Sequence, residues 1–282
     1  MFRRSNRDRP ILTVHHGDTH VGSTVALMPP EVRRDDGGTV LASREQRWYW
    51  DCWLRFWEDV AALKRKYGAH VVSFSGGDQR EGDHHDTTQI WFTSPADQDR
   101  AVEEVYEVAG EVADEWVWIR GTQAHDGDHA AGTERYARHF ADKGWKTVMN
   151  GSLYSHWIYT GVHGGVNFQV KHQPQTKANV RYLQDSAAER QARYLWEEYV
   201  EDWIKPPDIA VWHHVHYRAK GWHRDTFCYV CPSWQIRTAW ATNWASSPRV
   251  ERPGGVCFLC EGGNWRPFEL GYKPESSVAW AT

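Results

Sequence analysis

The stretch Ile11-Leu12-Thr13-Val14-His15-His16-Gly17-Asp18-Thr19-His20-Val21-Gly22 decides how this chain is read. Ile11 to Val14 is a short apolar run of the kind that forms a buried strand, and it empties into Gly17 followed by Asp18 and His20. Side chains two apart in an extended segment point the same way, so one strand end can offer a carboxylate and an imidazole to a single ion. A lone Asp-x-His equally describes a turn acid beside a solvated histidine, so the weight falls on whether the pattern recurs.

It recurs along the chain. Ala69 to Phe74 is a second buried-strand pattern, ending in Ser75-Gly76-Gly77-Asp78. Trp116 to Ile119 runs into Arg120-Gly121-Thr122-Gln123-Ala124-His125. Val166 to Lys171, preceded by a strand pattern at His156 to Val162, stops at His172-Gln173-Pro174, and Asp208 to Trp212 ends in His213-His214-Val215-His216. Helical patterns lie between them. Trp53, Trp57, Val60, Leu63 and Tyr67 recur at helical spacing within Glu45 to Tyr67, with Gly68 as the stop. Ser94-Pro95 opens a second helix with Val102, Val105, Ala109 and Val112 as its stripe; others are expected near Thr133 to Lys143 and Tyr182 to Ile204. Ser23 to Ser43 reads as a loop. Short β runs follow at Thr226 to Val230, Gln235 to Thr238, Gly255 to Leu259 and Arg266 to Leu270. In an open α/β sheet, residues at the carboxyl ends of the strands converge on one site whatever their separation in sequence. Asp18, His20, Asp78, His125, His172, His214 and His216 therefore form one candidate constellation, with enough carboxylate and imidazole for two ions.

The totals bound the function classes. The 282 residues carry 33 Lys and Arg against 37 Asp and Glu, a formal charge of −4, which is not the footprint of a polynucleotide binder, although a local basic groove remains compatible with it. Sixteen His suit metal or phosphate chemistry, and 18 Trp read most simply as core and substrate-wall material. No run approaches the roughly 20 apolar residues of a membrane span, and the opening MFRRSNRDRP lacks the apolar centre of a signal peptide, so a cytoplasmic protein without membrane partners is expected. Acyl chemistry is disfavoured, since there is no Gly-x-Ser-x-Gly elbow.

The ordered motifs resemble the calcineurin-like metallophosphoesterases, in particular versions encoded by phages and prophages. GDTHVG is similar to the first motif of that family, SGGD to the second, KHQP to the fourth and HHVH to the fifth, with His213 where the family has glycine. The resemblance implies a four-layer αββα sandwich of two mixed β-sheets, as a single domain over 1–282 whose C-terminal part, 217–282, completes the second sheet. It further implies two divalent cations, manganese first, with iron, zinc or magnesium as alternatives. Asp18, His20, Asp78 and His216 would hold one, Asp78, His172 and His214 the other, and Asp78 would bridge them. The activity implied is hydrolysis of a phosphate mono- or diester by a metal-activated hydroxide, with nucleotides and nucleic acids among the candidate substrates. The third motif departs from the family's Gly-Asn-His. Gly121 fits, the Asn is missing, and His125 comes two residues late, so His125 is expected to keep the catalytic role while Thr122, Gln123 or a water completes the second metal; His125 as a ligand is the alternative. A degenerate third motif also leaves room for a noncatalytic metal-binding protein.

Three features stay open at this level. Arg120 reads either as a phosphate contact or as a salt-bridge partner. Glu81 to Phe92, EGDHHDTTQIWF, either carries His84 and His85 to the site or is a plain solvated loop. Cys228-x-x-Cys231 and Cys257-x-x-Cys260 have zinc-site spacing, but CYVC and CFLC suit strands, where residues three apart face opposite sides. Buried cysteines in the second sheet are therefore expected, with a structural zinc as the alternative.

Overall fold

The computed structural model describes residues 9–84, 87–178, 180–236, 238 and 252–273. In chain order the elements are β1 (Ile11–His16), β2 (Glu31–Arg33), β3 (Thr39–Leu41), α1 (Arg44–Tyr67), β4 (His70–Ser75), α2 (Pro95–Glu107), β5 (Glu115–Ile119), α3 (Gln123–Asp126), α4 (Ala131–Asp142), β6 (Ser155–His156), β7 (Ile158–His163), β8 (Val166–Lys171), α5 (Gln184–Glu201), β9 (Ile209–Trp212), β10 (Ala219–His223), β11 (Thr226–Val230), β12 (Gly254–Glu261) and β13 (Asn264–Gly271). The stretch expected to be a bare loop before α1 contains the small β2–β3 hairpin.

Two mixed sheets result. One has six strands in the order β13-β12-β1-β4-β5-β6, the other five in the order β10-β11-β9-β8-β7. In the first, β1, β4, β5 and β6 run parallel and β12 returns antiparallel against β1. In the second, β8, β9 and β11 are parallel, flanked by antiparallel β7 and β10. The C-terminal segment expected to complete the second sheet is instead shared. β10 and β11 join the five-stranded sheet, while β12 and β13 extend the six-stranded one, because β1 lies at the inner edge of its parallel set and takes β12 as its second partner.

Side-chain alternation sorts the apolar residues into three cores and hence four layers. Val72, Phe74, Val117 and Ile119 of the first sheet meet Phe168, Val170, Val211 and Tyr229 of the second between the sheets. Trp53, Phe56, Trp57 and Val60 of α1, with Val102 and Val105 of α2 and Tyr136 and Phe140 of α4, cover the outer face of the first sheet. Ala188, Ala192 and Leu195 of α5 cover the outer face of the second against Ala210, Trp212 and Val230. The αββα sandwich is therefore the observed architecture. α1 starts at a capping box, Ser43 Oγ accepting from Gln46 N–H at 3.2 Å and Gln46 Oε1 from Ser43 N–H at 3.1 Å, and ends at Gly68 in the left-handed conformation. Among the described residues no helix is long and apolar enough to cross a membrane.

The four paired cysteines are buried and free. Cys228 faces α5, Cys231 and Cys260 lie between the sheets, and Cys257 faces the α1 side, so the members of each pair do point to opposite faces. Cys257 and Cys260 belong to the six-stranded sheet, which corrects the expectation that all four sit in the second. Burial raises the thiol pKa well above its ordinary value at each of these positions. They are neutral core side chains spread over three cores, a placement that brings no four thiolates together on one zinc.

Candidate metal centre

β1 and β4 run parallel up to the His16–Ser75 pair, and the segments beyond them remain stitched together. Asp18 N–H donates to Gly77 O at 3.0 Å, His20 N–H to Asp78 O at 3.1 Å, Val21 N–H to Gln79 O at 3.0 Å and Glu81 N–H to Val21 O at 2.9 Å. The first two motifs are thus one structural unit. His213 N–H donates to His172 O at 3.0 Å, tying the ends of β8 and β9, and His214 N–H donates to the Asp18 carboxylate at 3.1 and 3.2 Å, joining the two sheets at the site.

Strand alternation is not what aims Asp18 and His20. β1 ends at His16, and both residues lie in the following loop with φ of 52° and 44°. Asp78, His214 and His216 are also left-handed, with φ of 49°, 70° and 59°, so five of the six expected ligands adopt a backbone that costs a non-glycine residue about 1–2 kcal/mol each. Such strain persists where the surroundings over-determine it, and it concentrates at functional sites.

The expected ligands come together in two groups, Asp18 with His20 and His216, and Asp78 with His172 and His214; within each, one ligand atom per residue lies within 4.8 Å of the others. Among the described residues Asp78 falls in the second of these groups, and the first consists of Asp18, His20 and His216. In the first, His20 Nε2 and His216 Nε2 are 3.0 Å apart, and His216 Nε2 is 3.7 Å from Asp18 Oδ1. In the second, His172 Nε2 lies 3.0 Å from Asp78 Oδ2, yet neither atom has a hydrogen-bond partner. His172 Nδ1 is 2.7 Å from Gly76 O, so the neutral ring keeps its proton on that side, and a cation that displaces the Nε2 proton meets a lone pair there. Orphaned, buried, lone-pair-bearing nitrogen and oxygen atoms converging on common points fit divalent cations, and the set, all carboxylate and imidazole with no thiolate, suits manganese, iron or zinc.

The charges have definite directions. Burial opposes ionisation of Asp18 and Asp78, but the surrounding imidazoles, His213, His172 and His216 for Asp18 and His172, His125 and His20 for Asp78, hold both carboxyls below their ordinary range. Burial likewise opposes a charged His172, and Asp78 and Asp18 outweigh it, lifting the pKa to about 10. For His216 burial wins, aided by His20, and the pKa falls to about 3.

His125 sits beside both groups. Its ring meets that of His20 at 4.3 Å between centroids, and its Nε2 is 4.0 Å from Asp78 Oδ2. Nδ1 lies 2.5 Å from Glu81 O, which fixes the proton there. Burial and His20 lower its pKa to about 4, so Nε2 carries no proton near neutrality. Thr122 is bound to Asp78: its N–H and Oγ1 donate to Asp78 Oδ1 at 2.6 and 3.0 Å. Gln123 is exposed. Arg120 is spent on structure, donating to Ser155 Oγ at 2.9 Å and pairing with Glu134 at 3.7 Å. The 81–92 segment does carry His84 to the site, its ring 4.2 Å from that of His125; His85 lies outside the described residues.

Three neighbours were not legible as site residues. Glu81, 2% exposed, forms a third group with His20 and His125. The acid three positions after Asp78 was the available signal. Asp126 is buried, accepts from Gly121 N–H and Thr133 Oγ1, and is pushed up to about 7 by burial and by Asp78. His213 is fully buried 3.7 Å from Asp18; its ring occupies the space a Cβ on Gly76 would need, which explains why Gly76 is glycine.

No protein-family model matches the chain, and no curated protein matches it. Among solved structures, the Vps29 of Cryptosporidium parvum is similar at 11% identity over 95% of this chain and 100% of that one, with a TM-score of 0.45. A novel archaeal phosphodiesterase is similar at 11% identity over 92% and 99%, with a TM-score of 0.41, and the zinc-complexed Vps29 of Entamoeba histolytica at 11% over 93% and 99%, with a TM-score of 0.38.

Proposed function

We propose that the chain is a metal-dependent phosphoesterase with a dinuclear centre. Asp18, His20 and His216 would hold one divalent cation, and Asp78, shared with it, would hold the other together with His172 and His214; manganese is the first candidate. The observation that carries this reading is the pair of carboxylate–imidazole groups drawn from both sheets to one end of the sandwich, on backbone held in the left-handed region. Two cations so held would supply electrophilic stabilisation of a phosphoryl group and an acidified water near neutral pH. The protein's part is to orient and to move a proton. Thr122 fixes Asp78 through two hydrogen bonds, leaving Oδ2 turned to His172. His125 presents an unprotonated Nε2, so this atom accepts a proton from the attacking water and returns it to the leaving oxygen. A phosphate ester, mono- or di-, is the substrate class, with nucleotides and nucleic acids within it.

The test is hydrolysis of p-nitrophenyl phosphate and bis-p-nitrophenyl phosphate by apo protein reloaded with manganese, beside Asp78→Ala. Metal-dependent turnover that disappears in Asp78→Ala supports the reading, and the preferred compound identifies the ester class. Two bound ions without turnover of either compound favour the noncatalytic metal-binding protein. Absence of ion binding in folded protein removes the reading altogether.

A further inference from the structure

We infer that Glu81 is the positioning residue of this centre, setting the tautomer of His20 through its side chain and of His125 through its own backbone carbonyl. The inference rests on the metal-binding reading above and deepens it. Glu81 Oε2 lies 3.1 Å from His20 Nδ1, an ion-pair contact outside hydrogen-bond geometry, while Glu81 O lies 2.5 Å from His125 Nδ1. A single residue therefore faces the Nδ1 side of both rings and leaves both Nε2 atoms directed inward, that of His20 toward His216 and that of His125 toward Asp78. A carboxylate behind a ligating imidazole fixes its ring and raises its basicity.

Glu81 is built to hold rather than to ligate, since both carboxylate oxygens have protein partners. Gln235 Nε2 donates to Oε2 at 2.9 Å and in turn reaches Ser23 Oγ at 3.3 Å, and His84 Nε2 lies 3.5 Å from Oε1. The backbone is pinned as well, by Glu81 N–H to Val21 O at 2.9 Å. Gly82 follows with φ of +73°, and a Cβ there would meet the carbonyls of Ala124 and His125 at 2.8 Å, so glycine is what lets the His125 turn come within reach of Glu81 O.

The experiment compares wild type, Glu81→Leu and Glu81→Gln by imidazole nitrogen NMR of the apo proteins at alkaline pH and by manganese titration. In wild type, His20 and His125 both carry the proton on Nδ1. Glu81→Leu frees the His20 tautomer, leaves His125 on Nδ1 because its acceptor is backbone, and weakens manganese binding about 10–100-fold. Glu81→Gln, which keeps an acceptor oxygen, restores the His20 tautomer and most of the affinity, a rescue that a merely structural residue would not show. A His20 proton on Nε2 in wild type, or an unchanged His20 in Glu81→Leu, overturns the inference; the wild-type spectrum decides even where Glu81→Leu does not fold. A stoichiometry of three ions falling to two in Glu81→Gln also overturns it, since Glu81 would then be a ligand. The NMR arm needs no metal, so failure of the dinuclear reading shows separately, as wild type that binds no manganese.

Discussion

The Nε2 atoms of His20 and His216 lie 3.0 Å apart although 196 residues separate them in sequence. Two lone pairs at that distance repel unless a proton or a cation sits between them, so the folded chain gains from binding an ion there. Saturating manganese is expected to stabilise the native state by about 2.7 kcal/mol per site at one hundred times Kd, raising Tm by several degrees. Thermal unfolding with manganese against chelator measures it. His216→Ala should lose about half of the shift, and an equal shift in wild type and variant would count against the assignment of His216.

His125→Ala and Asp78→Ala should separate chemistry from binding. His125 reaches the site through an unprotonated Nε2 and lies in neither of the two principal groups, so His125→Ala should keep both ions and lose about 10²–10⁴-fold in turnover. Asp78→Ala should lose the second ion as well. Metal analysis of each purified variant beside its kcat gives the answer; loss of an ion in His125→Ala would make His125 a ligand.

Cys228→Ser and Cys257→Ser should leave metal content unchanged. Each places a hydroxyl in an apolar core, at a cost of about 1–3 kcal/mol where it finds no partner. Urea midpoints together with zinc analysis check this. Zinc released on unfolding of wild type but missing from the variants would restore the structural-zinc alternative.

His163 should contribute a pH-dependent term to stability. Burial lowers its pKa to about 4 from the ordinary 6.5, and Tyr159 OH lies 2.9 Å from its Nε2. Above pH 6.5 the ring is neutral in both states and contributes nothing to the slope. As pH falls from 6.5 toward 4, the unfolded chain takes up a proton that the native ring refuses, so stability declines, by up to about 3 kcal/mol, and levels off below the folded pKa. Urea unfolding across this range should show a shallower decline in His163→Phe than in wild type.

Most of the scaffold was legible locally. Val166–Lys171 and Thr226–Val230 are strands at the expected bounds, and α1 follows the Trp53–Trp57–Val60 spacing to its Gly68 stop, because burial on one face leaves a period in the sequence. Among the elements not read were the β2–β3 hairpin and β10, short strands whose pairing rather than composition makes them strands. The expected strand at Gln235 to Thr238 lies partly outside the described residues, which show only an isolated bridge between Ala26 and Gln235.

The sequence by itself determined which polar residues could converge: Asp18, His20, Asp78, His125, His172, His214 and His216 stand just beyond strands, and side chains at such positions are expected to meet at one end of a parallel sheet. Only the tertiary structure decided how they meet. The left-handed backbone of Asp18 and His20, the grouping of Asp78 with His172 and His214, the hydrogen bonds of Thr122 to Asp78, and the reach of Glu81 to two histidines all depend on contacts between segments far apart in the chain. A local pattern records burial and period; it does not record which lone pair faces which partner, because that is set by the packing of one sheet on the other.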